Sequence, residues 1–442
     1  MLAEDTIAAI STPPGEGAVS LLRISGPQAI SIAGSLFIGK RPQGTLTPRV
    51  LHFGSFHDAN EKLDEGLLAV FPGPRSYTGE DLAEIHCHGG ILVTARILEA
   101  ILAMGARAAD PGEFTQRAFV NGKMDLTQAE AVMDVIRAST PRALHAAQEQ
   151  LEGRIGREIE DIRTQLLGVV AHLEAYIDFP EEGIDPHTGK KLAEDIAAIR
   201  ERVEGLLSTA HEGRILREGV RLVLCGEPNV GKSSLLNRLL GFERAIVSET
   251  PGTTRDTIEE FASLSGIPFR ITDTAGLRET QDVVENEGVT RARQAIERAD
   301  VVVHVMDITA PYRDPLAENE IVALNKIDLP HESFPRPESA IPLSVQTGEG
   351  LDILVQAIVD RARGGSSSEA PMLAAINARH QACLRRASDA LFQAREDLKN
   401  SIAPELVSVP LRAALDAVGE VVGTTDIEDI LGQIFSSFCI GK

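Results

Sequence analysis

The sequence predicts a multidomain α/β and α chain: an α+β domain at the front, a helical domain, and an α/β domain with a mainly parallel sheet inserted into the helical one. Three observations carry this. Residues 1–121 are rich in Gly and Pro and hold short β-like runs. Residues 122–213 and 372–442 are charged, amphipathic and helical in period. Residues 219–364 alternate apolar runs with amphipathic ones, the pattern of parallel strands covered by helices on both faces. A length of 442 residues agrees with about three domains.

The elements follow in order. "TIAAIS" (6–11), "AVSLLRIS" (18–25), "GLLAVF" (66–71) and "LAEIHCH" (82–88) read as strands, and "ILVTARILEAILAMG" (91–105) as a helix closed by a glycine. "DLTQAEAVMDVIRAST" opens on Asp125 with Gln128 three residues later, close to a capping box. "LHAAQEQLEGRIGREIEDIRTQLLGVVAHLEAYI" and "LAEDIAAIRERVEGLLSTA" continue as helices, broken by "DFPEEGIDPHTGKK" (178–191). "VRLVLCG", "IPFRITD", "DVVVHVMD" and "IVALNKID" read as strands, and "SSLLNRLLG", "VTRARQAIERA" and "LDILVQAIVDRA" as the helices between and after them. "RGGSSSEAP" (363–371) reads as a flexible exit.

Composition narrows the function classes. A net charge of −22 argues against a chain coated in positive charge for nucleic acid, though not against a local basic patch or a basic partner. No apolar run reaches the roughly 18–20 residues that cross a bilayer, and the start lacks a basic leader with an apolar core. Four scattered cysteines, Cys87, Cys225, Cys383 and Cys439, read as reduced thiols of a cytoplasmic protein. "HCH" at 86–88 puts His86 and His88 on one strand face, but no further ligands stand at zinc-binding spacing, so a structural role is expected. Cys225 ends a strand and is expected in the core.

"GEPNVGKSS" holds Gly226, Gly231, Lys232 and Ser233 between a strand and a helix, the setting of a phosphate loop. The glycines let the backbone wrap phosphates, and the amides of Asn229 to Ser234, with Val230 between them, point at negative charge. Lys232 reaches the β- and γ-phosphates and Ser233 places a hydroxyl on Mg²⁺. "DTAG" (Asp273, Thr274, Ala275, Gly276) is the D-x-x-G frame that holds Mg²⁺ and senses a γ-phosphate. "NKID" (Asn325, Lys326, Ile327, Asp328) selects guanine, because Asp328 accepts both N–H groups of its Watson–Crick edge. "SVQ" (Ser344, Val345, Gln346) backs the base. "SETPGTT" (Ser248, Glu249, Thr250, Pro251, Gly252, Thr253, Thr254) lies where a switch belongs, with Thr254 as the second Mg²⁺ hydroxyl. The inserted domain is thus expected to be a Ras-like P-loop GTPase domain binding GTP. One departure stands out: Leu277 follows Gly276, where Ras-like and Gα-like enzymes use a glutamine to orient water.

The chain resembles the bacterial tRNA modification GTPase family MnmE, also called TrmE, over its whole length. The resemblance rests on "DTIAAISTPPGEGAVSLLRISGP", "PGPRSYTGEDLAEIHCHGG", "PGEFTQRAFVNGKMDLTQAEA", "GEPNVGKSSLLN", "GTTRD", "DTAGLR", "NKID" and the terminal "IFSSFCIGK". It implies that K⁺ stands in for an arginine finger, with ligands matching Asn229, Ser248, Thr250 and Thr253. It implies that Glu285 orients the water, with Glu279 and Glu287 as alternates. It implies that the front domain makes a homodimer and binds a tetrahydrofolate one-carbon donor (5-formyl or 5,10-methylene) at Arg23, Glu80, Lys123 and Lys442. Cys439, flanked by Phe and Ile, reads first as a buried small apolar residue and second as a reactive thiol. The implied activity, with the FAD-containing partner MnmG (GidA), is attachment of an aminomethyl or carboxymethylaminomethyl group at C5 of the wobble uridine of tRNA. A regulatory or ribosome-assembly GTPase switch without modification chemistry is the alternative.

Overall fold

The computed structural model describes residues 5–39, 46–59, 61–178, 190–242, 259–273, 293–311, 319–330, 339–364, 376–424 and 428–442. The chain forms two compact units. The first comprises Met1–Met133, Gly156–Glu160 and Val418–Lys442, and the second Asp134–Ile155 and Asp161–Ala417.

The first unit is built on a seven-stranded sheet of order β3-β4-β5-β6-β2-β1-β7. Its strands are β1 (Ile7–Ile10), β2 (Gly17–Ser25), β3 (Phe37–Gly39), β4 (His52–His57), β5 (Lys62–Phe71), β6 (Leu82–Gly89) and β7 (Arg107–Ala108). All pairings are antiparallel except β1 with β7. One face packs against α1 (Ala29–Leu36) and α2 (Ile91–Ala103) around Leu22, Ile24, Leu68, Ile85, Ile97 and Ile101, all fully buried. β3 and β4 escape a sequence reading because their glycines, Gly39 and Gly54, sit where a Cβ would meet the Phe37 ring at 2.7 and 2.5 Å. Packing dictates those residues, so strand-favouring composition is lost there.

α3 (Glu113–Val120) and α4 (Leu126–Arg137) follow. The capping box exists: Gln128 N donates to Asp125 Oδ1 and Asp125 N to Gln128 Oε1, both at 3.0 Å. Phe435 and Phe438, at and beyond the end of α14 (Glu428–Ser436), pack with Leu126, Ala129 and Met133. The last residues of the chain are thereby fixed against its first domain.

The amphipathic run after Ser139 is two helices, α5 (Pro141–Leu151) and α6 (Arg154–Asp178), which apart from Gly156–Glu160 belong to the second unit. The break falls at Gly153, whose φ of +81° is a conformation that glycine adopts without strain. α7 (Lys190–Ser208) and α8 (Ala210–Glu218) lead into a six-stranded sheet of order β13-β12-β11-β8-β10-β9. Its strands are β8 (Val220–Cys225), β9 (Glu259–Leu264), β10 (Ile267–Asp273), β11 (Val301–Asp307), β12 (Glu320–Asn325) and β13 (Ile341–Pro342). All are parallel except the edge strand β9, which returns antiparallel on β10. α9 (Lys232–Phe242), α10 (residues 293–298) and α11 (Leu351–Ala362) belong to this layer, and α12 (Ala378–Lys399) and α13 (Pro404–Val422) complete the described helices. Parallel order with crossover helices is the arrangement of a Ras-like P-loop domain. It brings the carboxyl ends of β8, β10 and β12 to one edge of the sheet, where such folds bind ligands.

Candidate functional site

The loop between β8 and α9 has the backbone a phosphate cradle requires. Gly226 has φ +138°, and a Cβ there would lie 2.1 Å from the Val305 carbonyl oxygen. Gly231 has φ +102°, and a Cβ would lie 2.3 Å from Asn325 Nδ2. Only glycine fits either place. Asn229 is exposed at φ +63°. Lys232 is 5% exposed and donates to the carbonyls of Gly226 (3.2 Å) and Glu227 (2.7 Å), so its ammonium is held within the loop's curve. Ser233 Oγ donates to Asp273 Oδ2 at 2.8 Å. A hydroxyl and a carboxylate converging at a helix start are the oxygen set that Mg²⁺ prefers. The residues present therefore fit that ion. Ser234 is exposed on the first turn of α9, and Val230 is buried beneath the loop.

The base-side loops are cross-tied. Asn325 is buried; its Nδ2 donates to the Val230 carbonyl at 2.8 Å and its Oδ1 accepts from Val345 N at 3.0 Å. One amide thus fixes the phosphate loop to the Ser344–Gln346 loop. Ser344 Oγ donates to Asp328 Oδ1 at 2.6 Å, which orients that carboxylate. Ile327 N donates to the Leu343 carbonyl at 3.3 Å. Lys326 takes φ +73° and its ammonium reaches Asp307 Oδ2 at 2.7 Å. Burial alone would raise the Asp307 carboxyl; the Lys326 ammonium and the Thr309 amide and hydroxyl outweigh it and hold it below the usual range. Arg238 donates to the carbonyls of Val345 (3.1 Å) and Gln346 (2.9 Å).

The first unit gathers a second cluster of polar side chains, among them those expected to hold a folate. Glu80 accepts from Ser25 Oγ at 2.8 Å and lies 3.2 Å from Arg117 Nη1. Arg117 is itself fully buried, bonding Asp5 Oδ1 at 2.6 Å and Glu113 Oε1 at 2.9 Å. Arg23 stands over the Tyr77 ring at 5.4 Å and bonds Glu84 Oε1 at 2.9 Å. Lys123 Nζ donates to the Pro74 carbonyl at 3.0 Å, and its stem lies beside Gly79. The chain end arrives here too: Ser11 Oγ donates to the Gly441 carbonyl at 3.1 Å. Burial, together with the Arg23 guanidinium, lowers the Lys442 ammonium from its ordinary value. The Lys442 ammonium feels the positive charge of Arg23, a repulsion that an anionic ligand group would relieve. The carboxylate and cations present fit a molecule with a donor-rich ring and an acidic tail.

A family profile described as the MnmE helical domain matches residues 126–439, well over half of the chain, and one described as the GTP-binding protein TrmE N-terminus matches residues 6–123. The chain belongs to the MnmE family. A tRNA modification GTPase MnmE of Akkermansia muciniphila is 46% identical over 446 residues, with 99% of each chain covered. MnmE of Geobacter sulfurreducens is 45% identical over 457 residues, with 100% of each covered. MnmE of Geobacillus kaustophilus is 42% identical over 463 residues, again with 99% of each covered.

Several expected site residues lie outside the described residues: Ser248, Glu249, Thr250, Pro251, Gly252, Thr253, Thr254, Thr274, Ala275, Gly276 and Glu285, with the alternates Glu279 and Glu287. Cys439 corrects its first reading. It is exposed rather than buried, because Phe435 and Phe438 fill the apolar contact while the Cys439 carbonyl caps Gly112 N at 3.4 Å. Cys225 is half-buried rather than core. His88 donates its ring to Asp64 at 2.8 Å, and Cys87 is buried with its thiol pushed up to about 11 by burial and by Asp64. Sequence reasoning missed Arg117, Ser25 and Thr78, which hold Glu80. The one local signal was the Glu113–Arg117 spacing of four on a helix.

Proposed function

We propose that this chain hydrolyses GTP in the service of tRNA modification. The observation that carries the reading is the cross-tied guanine nucleotide site in a chain that matches MnmE relatives end to end. Phosphates rest on the Gly226–Ser233 loop with Lys232 at their oxygens. Asp328 reads guanine, and Ser233 and Asp273 hold Mg²⁺, which neutralises charge on the phosphates.

The finer reading is potassium dependence and C5 modification of the wobble uridine with the FAD-containing partner MnmG. Asn229, at the loop's exposed crest, offers a side-chain oxygen of the kind K⁺ takes. Glu285 orients the attacking water in place of the missing glutamine. A homodimer made by the first domain brings two G domains into reach of each other, in the cytoplasm. A tetrahydrofolate supplies the one-carbon unit, with Glu80 receiving the amino-pyrimidine edge and Arg23, Lys123 and Lys442 the acidic tail. Among the described residues no helix is long and apolar enough to cross a membrane, in keeping with a tRNA substrate.

The test is nucleoside analysis of tRNA from cells lacking this gene, paired with binding of 5-formyltetrahydrofolate by the purified protein. The expected result is loss of the C5-substituted wobble uridine and measurable folate binding. Unchanged tRNA with no folate binding would transfer the reading to a regulatory GTPase switch.

A further inference from the structure

The nucleotide-binding sheet brings three metal-ligand side chains from three adjacent strands onto one face. Cys225 is the last residue of β8, and His304 lies in register with it on β11. His304 is in turn in register with Val322 of β12, and Glu320 is two residues before Val322. Side chains alternate along a strand, so Glu320 shares the face of His304 and Cys225. This face is opposite the one formed by Leu222, Leu224, Val303 and Val305. One ligand atom from each residue lies within 4.8 Å of the others. His304 Nδ1 is 2.7 Å from Glu320 Oε1, and the Glu320 side chain is 6% exposed.

We propose that Cys225, His304 and Glu320 form a site for a thiophilic divalent cation of the Zn²⁺ class. The donors are one sulfur, one imidazole nitrogen and one carboxylate oxygen. Mg²⁺ and Ca²⁺ take oxygen ligands, whereas this mixed set suits Zn²⁺, which accepts three protein ligands and a water. Zinc–ligand bonds are about 2.0–2.3 Å, so two donors of one tetrahedral centre stand roughly 3.3–3.8 Å apart. The 2.7 Å His304–Glu320 bond opens and the Cys225 arm closes by side-chain rotation on fixed strands. On binding, the sulfur–metal bond forms, the Cys225 thiol proton leaves to solvent, and the Glu320 carboxylate gains a positive neighbour. The cation ties β8 and β12 to β11 just where β8 enters the phosphate loop.

The experiment uses the full chain with Mg·GDP bound, metal-stripped elsewhere, and Co²⁺ as the spectroscopic probe. The expected result is one equivalent of Co²⁺ with a thiolate-to-cobalt charge-transfer band, displaced by Zn²⁺. Cys225→Ser abolishes the band, and His304→Gln and Glu320→Gln weaken Zn²⁺ binding at least about tenfold (a tenfold loss being about 1.4 kcal/mol). Cys439→Ser leaves the band intact. No thiolate band in the unaltered protein overturns the proposal, as does a band that survives Cys225→Ser or vanishes with Cys439→Ser. Retained GDP binding certifies that each variant is folded; if Cys225→Ser fails that check, His304→Gln decides.

Discussion

Arg117 and Glu80 form an ion pair in which the cation is wholly inside the protein: Arg117 is 1% exposed, and its Nη1 lies 3.3 and 3.2 Å from the two carboxylate oxygens of Glu80. Asp5 and Glu113 hold the other side of the same guanidinium. Removing one partner of a buried pair leaves uncompensated charge and costs about 3–5 kcal/mol. Arg117→Met should therefore lower the opening free energy of β2 and β6 by that order, read as faster amide hydrogen exchange. It should also weaken 5-formyltetrahydrofolate binding, because Glu80 loses its anchor.

The same network sets an acid limit. Burial alone would raise the carboxyls of Asp5 and Glu113, but hydrogen bonds from Arg107 and Arg117 outweigh it and hold both below the usual range. A depressed native pKa stabilises the fold fully above the unfolded values, about 3.9 and 4.3, and that contribution is lost as pH falls through the native values. Exchange protection in the first unit should drop on acidification. The gap between unaltered protein and Arg117→Met should narrow over the same range; a constant gap would refute the linkage.

Gly231 is required by Asn325. A methyl at Gly231 would meet Asn325 Nδ2 at 2.3 Å and would also force a residue with a Cβ into φ +102°. Gly231→Ala should break the amide bridge to Val230 and lower GTP affinity at least about tenfold, measured by fluorescent nucleotide titration.

On the proposed reading, Asp328→Asn exchanges an acceptor for a donor toward the guanine N–H groups. Hydrogen bonds to a charged group contribute about 1.5–3 kcal/mol each, so GTP binding should weaken by roughly 10²-fold or more. Xanthosine triphosphate, with the complementary edge, should bind better than GTP in the variant. An unchanged preference for GTP would refute the base-reading role.

Replacing Na⁺ by K⁺ at constant ionic strength should raise GTP turnover at least about tenfold, part of the roughly 10³–10⁵ that an arginine finger contributes elsewhere. Equal rates would remove K⁺ from the mechanism.

Glu285→Ala should lower kcat by about 10²-fold while GTP affinity stays within about twofold, the signature of a group that acts on the attacking water. Loss of GTP binding would make Glu285 structural instead.

Strands and helices were legible wherever one period dominated. The β8–α9 unit is an apolar strand, a glycine-rich loop and an amphipathic helix, and each announces itself locally. β4 was not legible because its Gly54 answers to the Phe37 ring. Nor was β9, an antiparallel return whose partner β10 follows a two-residue turn at Ser265 and Gly266. The helical run through Gly153 looked continuous because amphipathic period persists on both sides of the break.

The sequence by itself determined the nucleotide chemistry, because wrapping a phosphate and reading a base are done by short contiguous segments whose residue types are forced by backbone geometry and hydrogen-bond pattern. Tertiary structure alone decided the rest. It brought Gly441 against Ser11, buried Arg117 among Asp5, Glu80 and Glu113, and left Cys439 exposed. It also aligned Cys225, His304 and Glu320 on one face of a sheet. Those relationships join residues far apart in the chain, and strand register and packing, which no local pattern encodes, are what bring them together.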